Sequence, residues 1–260
     1  MTMYARESMR CVACLVCSLS LLAGSVRLET RDGGILRGPT DQKLIALEFT
    51  GHEFGEGGEI ILDQLKRHHA HASFFLTGDF LRNPEFHNLV RRIIEAGHYI
   101  GPHSDKHLLY CSWELDRKTL VSREAFRLDL EANLRELERF GVHRGSVCYW
   151  VPAFEWYNAE IARWSAASGL QLINYTPGTR SNADYTGEAD QNFVSSDNIL
   201  KSILEREQSD PNGLRGFLLL LHIGAGPERV DKMHDHLGTL LDILAARGYL
   251  FVRVDELLGC

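Results

Sequence analysis

The sequence predicts an α/β protein built as a single domain, and three observations predict it. Short apolar runs of strand length alternate with amphipathic stretches of helical period along the chain. A chain of 260 residues, 44% hydrophobic and 24% charged, has the composition and size for one large core. Ionisable residues also recur just past the apolar runs, at the strand ends where parallel α/β folds gather their chemistry. Parallel strands joined by right-handed helical crossovers satisfy all three, and periodicity leaves open both an open sheet and a closed barrel.

Residues 1–25 differ in character from the rest. Arg6 and Arg10 precede an apolar run over 11–23, and Ala23-Gly24-Ser25 places small residues at a cleavage site, which reads as a secretory signal peptide. The run is too short for the roughly 30 Å hydrocarbon core, so no stable membrane span is expected, and the mature domain is 26–260, exported to the periplasm or the cell exterior. Cys11, Cys14 and Cys17 leave with the leader. Cys111, Cys148 and Cys260 remain, too few for a disulfide framework and enough for one bridge. The formal charge of −7 argues against nucleic acid as a partner, because counterion release needs a basic surface.

The elements follow in order. Residues 31–41 read as a polar, glycine-containing lead, and 44–49 as a buried strand opening into a glycine-rich loop that contains His52 and Glu53. A helix over 59–69 carries Ile60, Ile61 and Leu65 at helical spacing, and 72–76 is the second strand. Pro84 opens the next helix and Gly97 ends it. Residues 99–101 form the third strand. Ser122 caps a long helix whose apolar face is Phe126, Leu130, Leu134 and Leu137, and Gly141 stops it. Strands over 146–151 and 170–175 flank a helix over 158–168, and 176–192 is a loop long enough to carry function. A helix over 197–208, a strand over 217–221 ending at His222, a helix over 232–247 and a strand over 250–254 complete the chain.

His103 and His107 stand four residues apart after the third strand, a spacing that aims two imidazoles at one point, and imidazole is the commonest ligand for a borderline metal. With parallel strands, His52, Glu53 and His222 end on the same face as that pair. Three histidines and an open position make a catalytic zinc site.

From Lys43 to Leu258 the chain resembles the NodB-type polysaccharide deacetylases, carbohydrate esterase family 4, and more narrowly a branch seen in glycan-degrading gut Bacteroidetes. The resemblance rests on His103-Ser104-Asp105-Lys106-His107, which matches the family's HSxxH metal motif, on Leu219-Leu220-Leu221-His222, which matches the strand-end histidine that serves as general acid, and on Ser73-Phe74-Phe75-Leu76. It implies a distorted (β/α)7-type barrel, a divalent metal, most often zinc, and removal of acetyl groups from an acetylated poly- or oligosaccharide.

The first family motif departs. Where the family has Thr-Phe-Asp-Asp, with a base and a metal ligand, this chain reads Glu48-Phe49-Thr50-Gly51-His52-Glu53. His52 is expected to take over as third ligand and Glu53 as base. In the third motif Trp150 stands where the family places an arginine, followed by Pro152 and Phe154. Trp150, Pro152, Phe154 and Trp156 are expected to meet the sugar. Asp105 reads either as an orienter of a ligand histidine or as a surface residue, and Asp184 is a weak match to the aspartate-rich fourth motif. A catalytically impaired glycan-binding protein on this scaffold is the alternative, and a non-sugar amidase shares the same residues.

Overall fold

The computed structural model describes residues 28–260, so the expected leader over 1–25 lies outside the described residues. Its centre is β3 (Leu44–Gly51), flanked in parallel by β8 (Phe217–His222) on one side and by β4 (Ser73–Leu76) on the other. β5 (Tyr99–Pro102) continues the sheet beyond β4, and β9 (Leu250–Val252) pairs with the first half of β3. A second small sheet joins β6 (Tyr149–Trp150) to β7 (Gln171–Leu172). Two seams turn these sheets into a ring: Val151 N–H donates to Pro102 O at 3.3 Å, and Asn174 N–H donates to Ile35 O at 2.9 Å beside an Ile35–Ile173 bridge. The result is a distorted barrel with helices outside.

Side-chain alternation explains both layers. On β3, Ile45, Leu47 and Phe49 face the helices, while Ala46, Glu48 and Thr50 face the barrel interior, two residues per pleat. β8 repeats the pattern, with Phe217, Leu219 and Leu221 outward and Leu218 and Leu220 inward, so His222 falls on the inner face opposite Thr50. Burying each of these large side chains stabilises the fold by about 1.5–3 kcal/mol. Truncating Phe74, fully buried and stacked on Phe49 at 5.2 Å, to alanine removes about 3–5 kcal/mol.

The helices α1 (Gly58–Arg67), α2 (Gly78–Arg82), α3 (His87–Glu95), α4 (Arg123–Arg139), α5 (Ala159–Ala167), α6 (Ser196–Ser209), α7 (Met233–Ala246) and α8 (Val254–Leu258) follow from local signals. Ser122 Oγ accepts from Ala125 N–H at 3.1 Å, the cap expected for α4. Gly97 and Gly141 take φ of +76° and +85° at the ends expected of α3 and α4.

The expected seven strands are all present, and two more precede them. The supposed polar lead forms a hairpin of β1 (Glu29–Arg31) and β2 (Gly34–Arg37), with β2 antiparallel to β8. Asp32 and Gly33 both take positive φ, 48° and 84°, as a two-residue type I′ turn requires. Ile35 and Leu36 bury against the barrel and pin the hairpin there. The strands expected over 146–151 and 170–175 shrink to two residues each, because Arg144–Ser146 coils into a 3-10 turn and 173–175 leaves β7 to reach the hairpin. The short helices α2 and α8 carry too few residues to show a period.

Candidate active site

At the C-terminal mouth of the barrel a half-open pocket of about 600 Å³ gathers residues from five segments. Its walls include His52 and Glu53 after β3, His103 and His107 after β5, Phe154 to Trp156 after β6, Asn182 and Tyr185 after β7, and His222 at the end of β8.

The histidine loop after β5 is strapped down by α4. Two polar residues on the buried stripe of that helix, Asp129 and Asn133, do this work. Asn133 Oδ1 accepts from His103 N–H at 2.8 Å while its Nδ2 donates to Leu76 O at 3.0 Å. Asp129 accepts from Asp105 N–H at 3.0 Å, Lys106 N–H at 3.2 Å and the Tyr110 hydroxyl at 2.6 Å. These bonds hold Ser104 and His107 at φ of 73° and 52°, a left-handed backbone that costs a non-glycine residue about 1–3 kcal/mol. Phe154 and Glu155 share the condition at φ of 60° and 51°, so four of the strained residues flank one pocket.

Each key ring is oriented by a partner. Val151 O accepts from His103 Nδ1 at 2.9 Å; because a carbonyl only accepts, Nδ1 carries the proton and the Nε2 lone pair is free. His222 is clamped twice by Asp184, whose Oδ1 accepts from Nδ1 at 2.6 Å and Oδ2 from the backbone N–H at 2.9 Å. Arg229, fully buried beneath this loop, donates to Thr186 O at 2.8 Å and Val194 O at 3.0 Å and fixes the segment that carries Asp184.

Burial and the neighbouring His107 hold His103 well below the usual imidazole range. Burial, His52 and His222 push His107 down to about 3. His222 moves the other way: burial opposes its charge, but Asp184 and Glu155 outweigh burial and raise it. Glu155, which the sequence reading missed, places its Oε1 3.8 Å from His103 Nε2 with a side chain only 9% exposed. Burial pushes its carboxyl up to about 7, with His222 pulling it down and Asp184 adding to the rise.

Neutral imidazoles beside a buried carboxylate are donor chemistry that suits a borderline divalent ion. Among the described residues, however, no group of three or more His, Cys, Asp or Glu side chains stands at ligand spacing. His52 stacks flat on His107, 4.5 Å between centroids and 14° between planes. The donor set fits by chemistry, through His103 Nε2 and the neutral His107 above all.

The expected site residues divide. His52, Glu53, His103, His107, Phe154, Trp156 and His222 all line the pocket. Glu53 sits at its rim, its side chain 68% exposed and 4.0 Å from His52 Nε2. Trp150 is a correction: it is fully buried against Tyr110 and Phe126, because it points outward from β6 to the helices, and no sugar can reach it. Pro152 is also buried and sets the turn that presents Phe154. Asp105 does not orient a histidine; its carboxylate pairs with Arg82 at 2.6 Å. Trp113 and Tyr185 join the pocket from loops whose sequence shows no period.

The altered first motif has a steric counterpart. A Cβ added at Gly51, where the family carries its second aspartate, would stand 2.8 Å from Ile223 Cγ2 and 2.9 Å from Leu76 Cδ2. Thr50, in the place of the first, has a buried hydroxyl without a partner.

The family model for polysaccharide deacetylase matches residues 37–173. A peptidoglycan-N-acetylglucosamine deacetylase of Bacillus cereus is 24% identical over 220 residues, which cover 85% of this chain and 70% of that protein. The peptidoglycan-N-acetylglucosamine deacetylase PgdA of Listeria monocytogenes is 26% identical over 84% of this chain and 39% of its own length. Among solved structures, the Bc1960 peptidoglycan N-acetylglucosamine deacetylase superposes with a TM-score of 0.69 at 23% identity, covering 86% of this chain and 91% of that one. BA3943 of Bacillus anthracis, a CE4 family pseudoenzyme, gives 0.67 at 20% identity over 88% of this chain and 70% of its own. Both likenesses show the fold.

Proposed function

The chain belongs to the polysaccharide deacetylase family, and from that premise we propose that it is an exported, metal-dependent hydrolase removing acetyl groups from an acetylated poly- or oligosaccharide. The supporting observation is the convergence, at one barrel mouth, of neutral imidazoles, a buried carboxylate and an aspartate-clamped histidine. His103 and His107, with His52, would hold the metal, most suitably zinc, which supplies polarisation of the acetyl carbonyl and a more acidic water.

The protein's own groups supply the proton transfers. Glu155, rather than the rim residue Glu53, is the base that takes the attacking water's proton, since burial poises its carboxyl near neutrality. His222, whose charged form Asp184 favours, returns a proton to the leaving amine or hydroxyl as the acyl bond breaks and acetate departs. Asp184 fixes the tautomer of His222. Phe154, Trp113 and Trp156 form an aromatic wall, with centroids 5.6 Å and 5.3 Å from Trp113, on which sugar rings stack. Export agrees with the Cys148–Cys260 disulfide, a bond of oxidising compartments.

The test is acetate release from a panel of acetylated glycans together with metal analysis. Glu155→Gln should lower turnover about 10²- to 10⁴-fold and leave the metal bound. An equal loss in Glu53→Gln with none in Glu155→Gln returns the base to the rim. The missing aspartate pair at the end of β3 favours a second reading, a glycan-binding protein without turnover. Saturable glycan binding with no acetate from any substrate would select it.

A further inference from the structure

We infer that Glu53 sets a charge preference for the sugar unit adjoining the acetylated one: the cleft accepts neutral or amine-bearing units and disfavours units that carry a carboxylate. This rests on the deacetylase reading and adds to it a substrate class.

Among the described residues no lysine or arginine lines the pocket, whereas two carboxylates do, Glu53 at the rim and Glu155 on the floor. Glu53 is two-thirds exposed, and among the described residues no lysine or arginine pairs with it; His52 Nε2 stands 4.0 Å away. Among the described residues, four cations of the neighbouring segments are committed to other partners. Arg117 lies over the Trp156 ring at 3.9 Å and donates to Tyr157 O, with Asp32 3.5 Å away. Lys106 pairs with Asp79 at 2.5 Å, and Lys232 with Glu56 at 2.6 Å. Arg229 is fully buried. A carboxylate entering the cleft therefore meets a free negative rim charge and finds no fork of donors, while an ammonium meets an unpaired acceptor. His103 lies at the buried end of the histidine cluster and His52 at the rim beside Glu53, so a cation bound by His52 would offset part of the rim charge.

Rim charges act mainly on association and are screened within about 8 Å at physiological salt, so the effect should be modest and salt-sensitive. The experiment measures kcat/KM for three series of acetylated hexosamine oligomers, neutral, partly deacetylated and carboxylate-bearing, at low and high salt. Binding of the same oligomers is measured by calorimetry. Wild type should prefer amine-bearing over neutral over carboxylate-bearing oligomers, with about tenfold between the extremes at low salt and less at high salt. Glu53→Gln should flatten the order and Glu53→Lys reverse it, both on a solvent-facing position that leaves folding intact. Equal handling of neutral and carboxylate-bearing oligomers, or an order that survives Glu53→Lys, overturns the inference while acetate release leaves the deacetylase reading standing. Binding that follows the charge order and reverses in Glu53→Lys, without acetate from any oligomer, supports the inference and removes the deacetylase reading.

Discussion

Glu48 offers the sharpest test of how the barrel interior is built. Its side chain is wholly buried on the inner face of β3, and neither carboxyl oxygen has a hydrogen-bond partner. Burial first, and the nearby charge of Glu155 second, push its carboxyl up to about 8 from an ordinary 4.5. The sign follows from proton binding: between those values the folded chain keeps the proton while the unfolded chain has released it. Stability is therefore fully present below pH 4.5 and is lost as pH rises toward 8, by about 1.4 kcal/mol per pH unit and about 4–5 kcal/mol in all. Glu48→Gln keeps the shape and removes the titration. The variant and wild type should unfold in urea within about 1 kcal/mol of each other at pH 4.5, where both carry a neutral group. At pH 8.5 the variant should be more stable by about 4 kcal/mol, or about 10 °C in Tm for a chain of this size. Every other titrating group is common to both proteins, so the difference isolates Glu48. Two stability curves that run parallel from pH 4.5 to 8.5 would refute the reasoning.

Three further outcomes are expected. Asp184→Asn should lower the imidazole titration of His222 followed by NMR, since burial still acts against its charge and Glu155 alone is left to favour it; an unmoved titration would mean that the 2.6 Å contact carries no electrostatic weight. Gly51→Asp, which formally restores a family carboxylate, should destabilise by about 1–3 kcal/mol in thermal unfolding through overpacking against Ile223 and Leu76, and a neutral result would show that those side chains yield. Replacing Cys148 and Cys260 by serine opens a cross-link spanning 112 residues and should lower the urea-derived stability by about 2–4 kcal/mol; an unchanged midpoint would contradict a formed bridge.

Much of the fold was legible because a buried strand is short, continuous and apolar, as β4, β5 and β8 are, with every residue of β4 and β5 buried. The hairpin of β1 and β2 was passed over although Asp32-Gly33 is the dipeptide that a type I′ turn selects; its strands hold only three and four residues, too few for alternation to outweigh the flanking polar residues. At the site, strand-end position located His52, His103 and His222, because inward parity carried to the end of a strand points into the mouth, and His107 followed from its spacing of four from His103. Parity also accounts for the error at Trp150, which an aromatic label placed at the sugar while its position on β6 turned it into the helical layer. Glu155 gave no such signal, since only the positive φ at Phe154 and Glu155 turns its carboxylate inward. Asp129 and Asn133 did leave a trace, two polar residues four apart on an otherwise apolar helix face.

The altered motifs at β3 and β6 form one rearrangement. In the family pattern a carboxylate at the end of the first strand is paired with an arginine on the fourth, and losing the carboxylate alone would strand a buried guanidinium at a cost of about 3–5 kcal/mol. Here Trp150 occupies the arginine's place and packs outward, and Gly51 leaves its space to Ile223 and Leu76. The carboxylate enters instead from the turn after β6, through two residues held at positive φ. There Asn174 Nδ2 donates to Glu155 O at 2.6 Å, and Trp156 Nε1 anchors the far side of the turn to Ser112 O at 2.9 Å. Strain of this kind persists only where the surroundings over-determine it. The bonds that impose it link the turn to the segment after β7 and to the loop before α4, so the position of Glu155 is tied to the segments that carry Asp184 and His107.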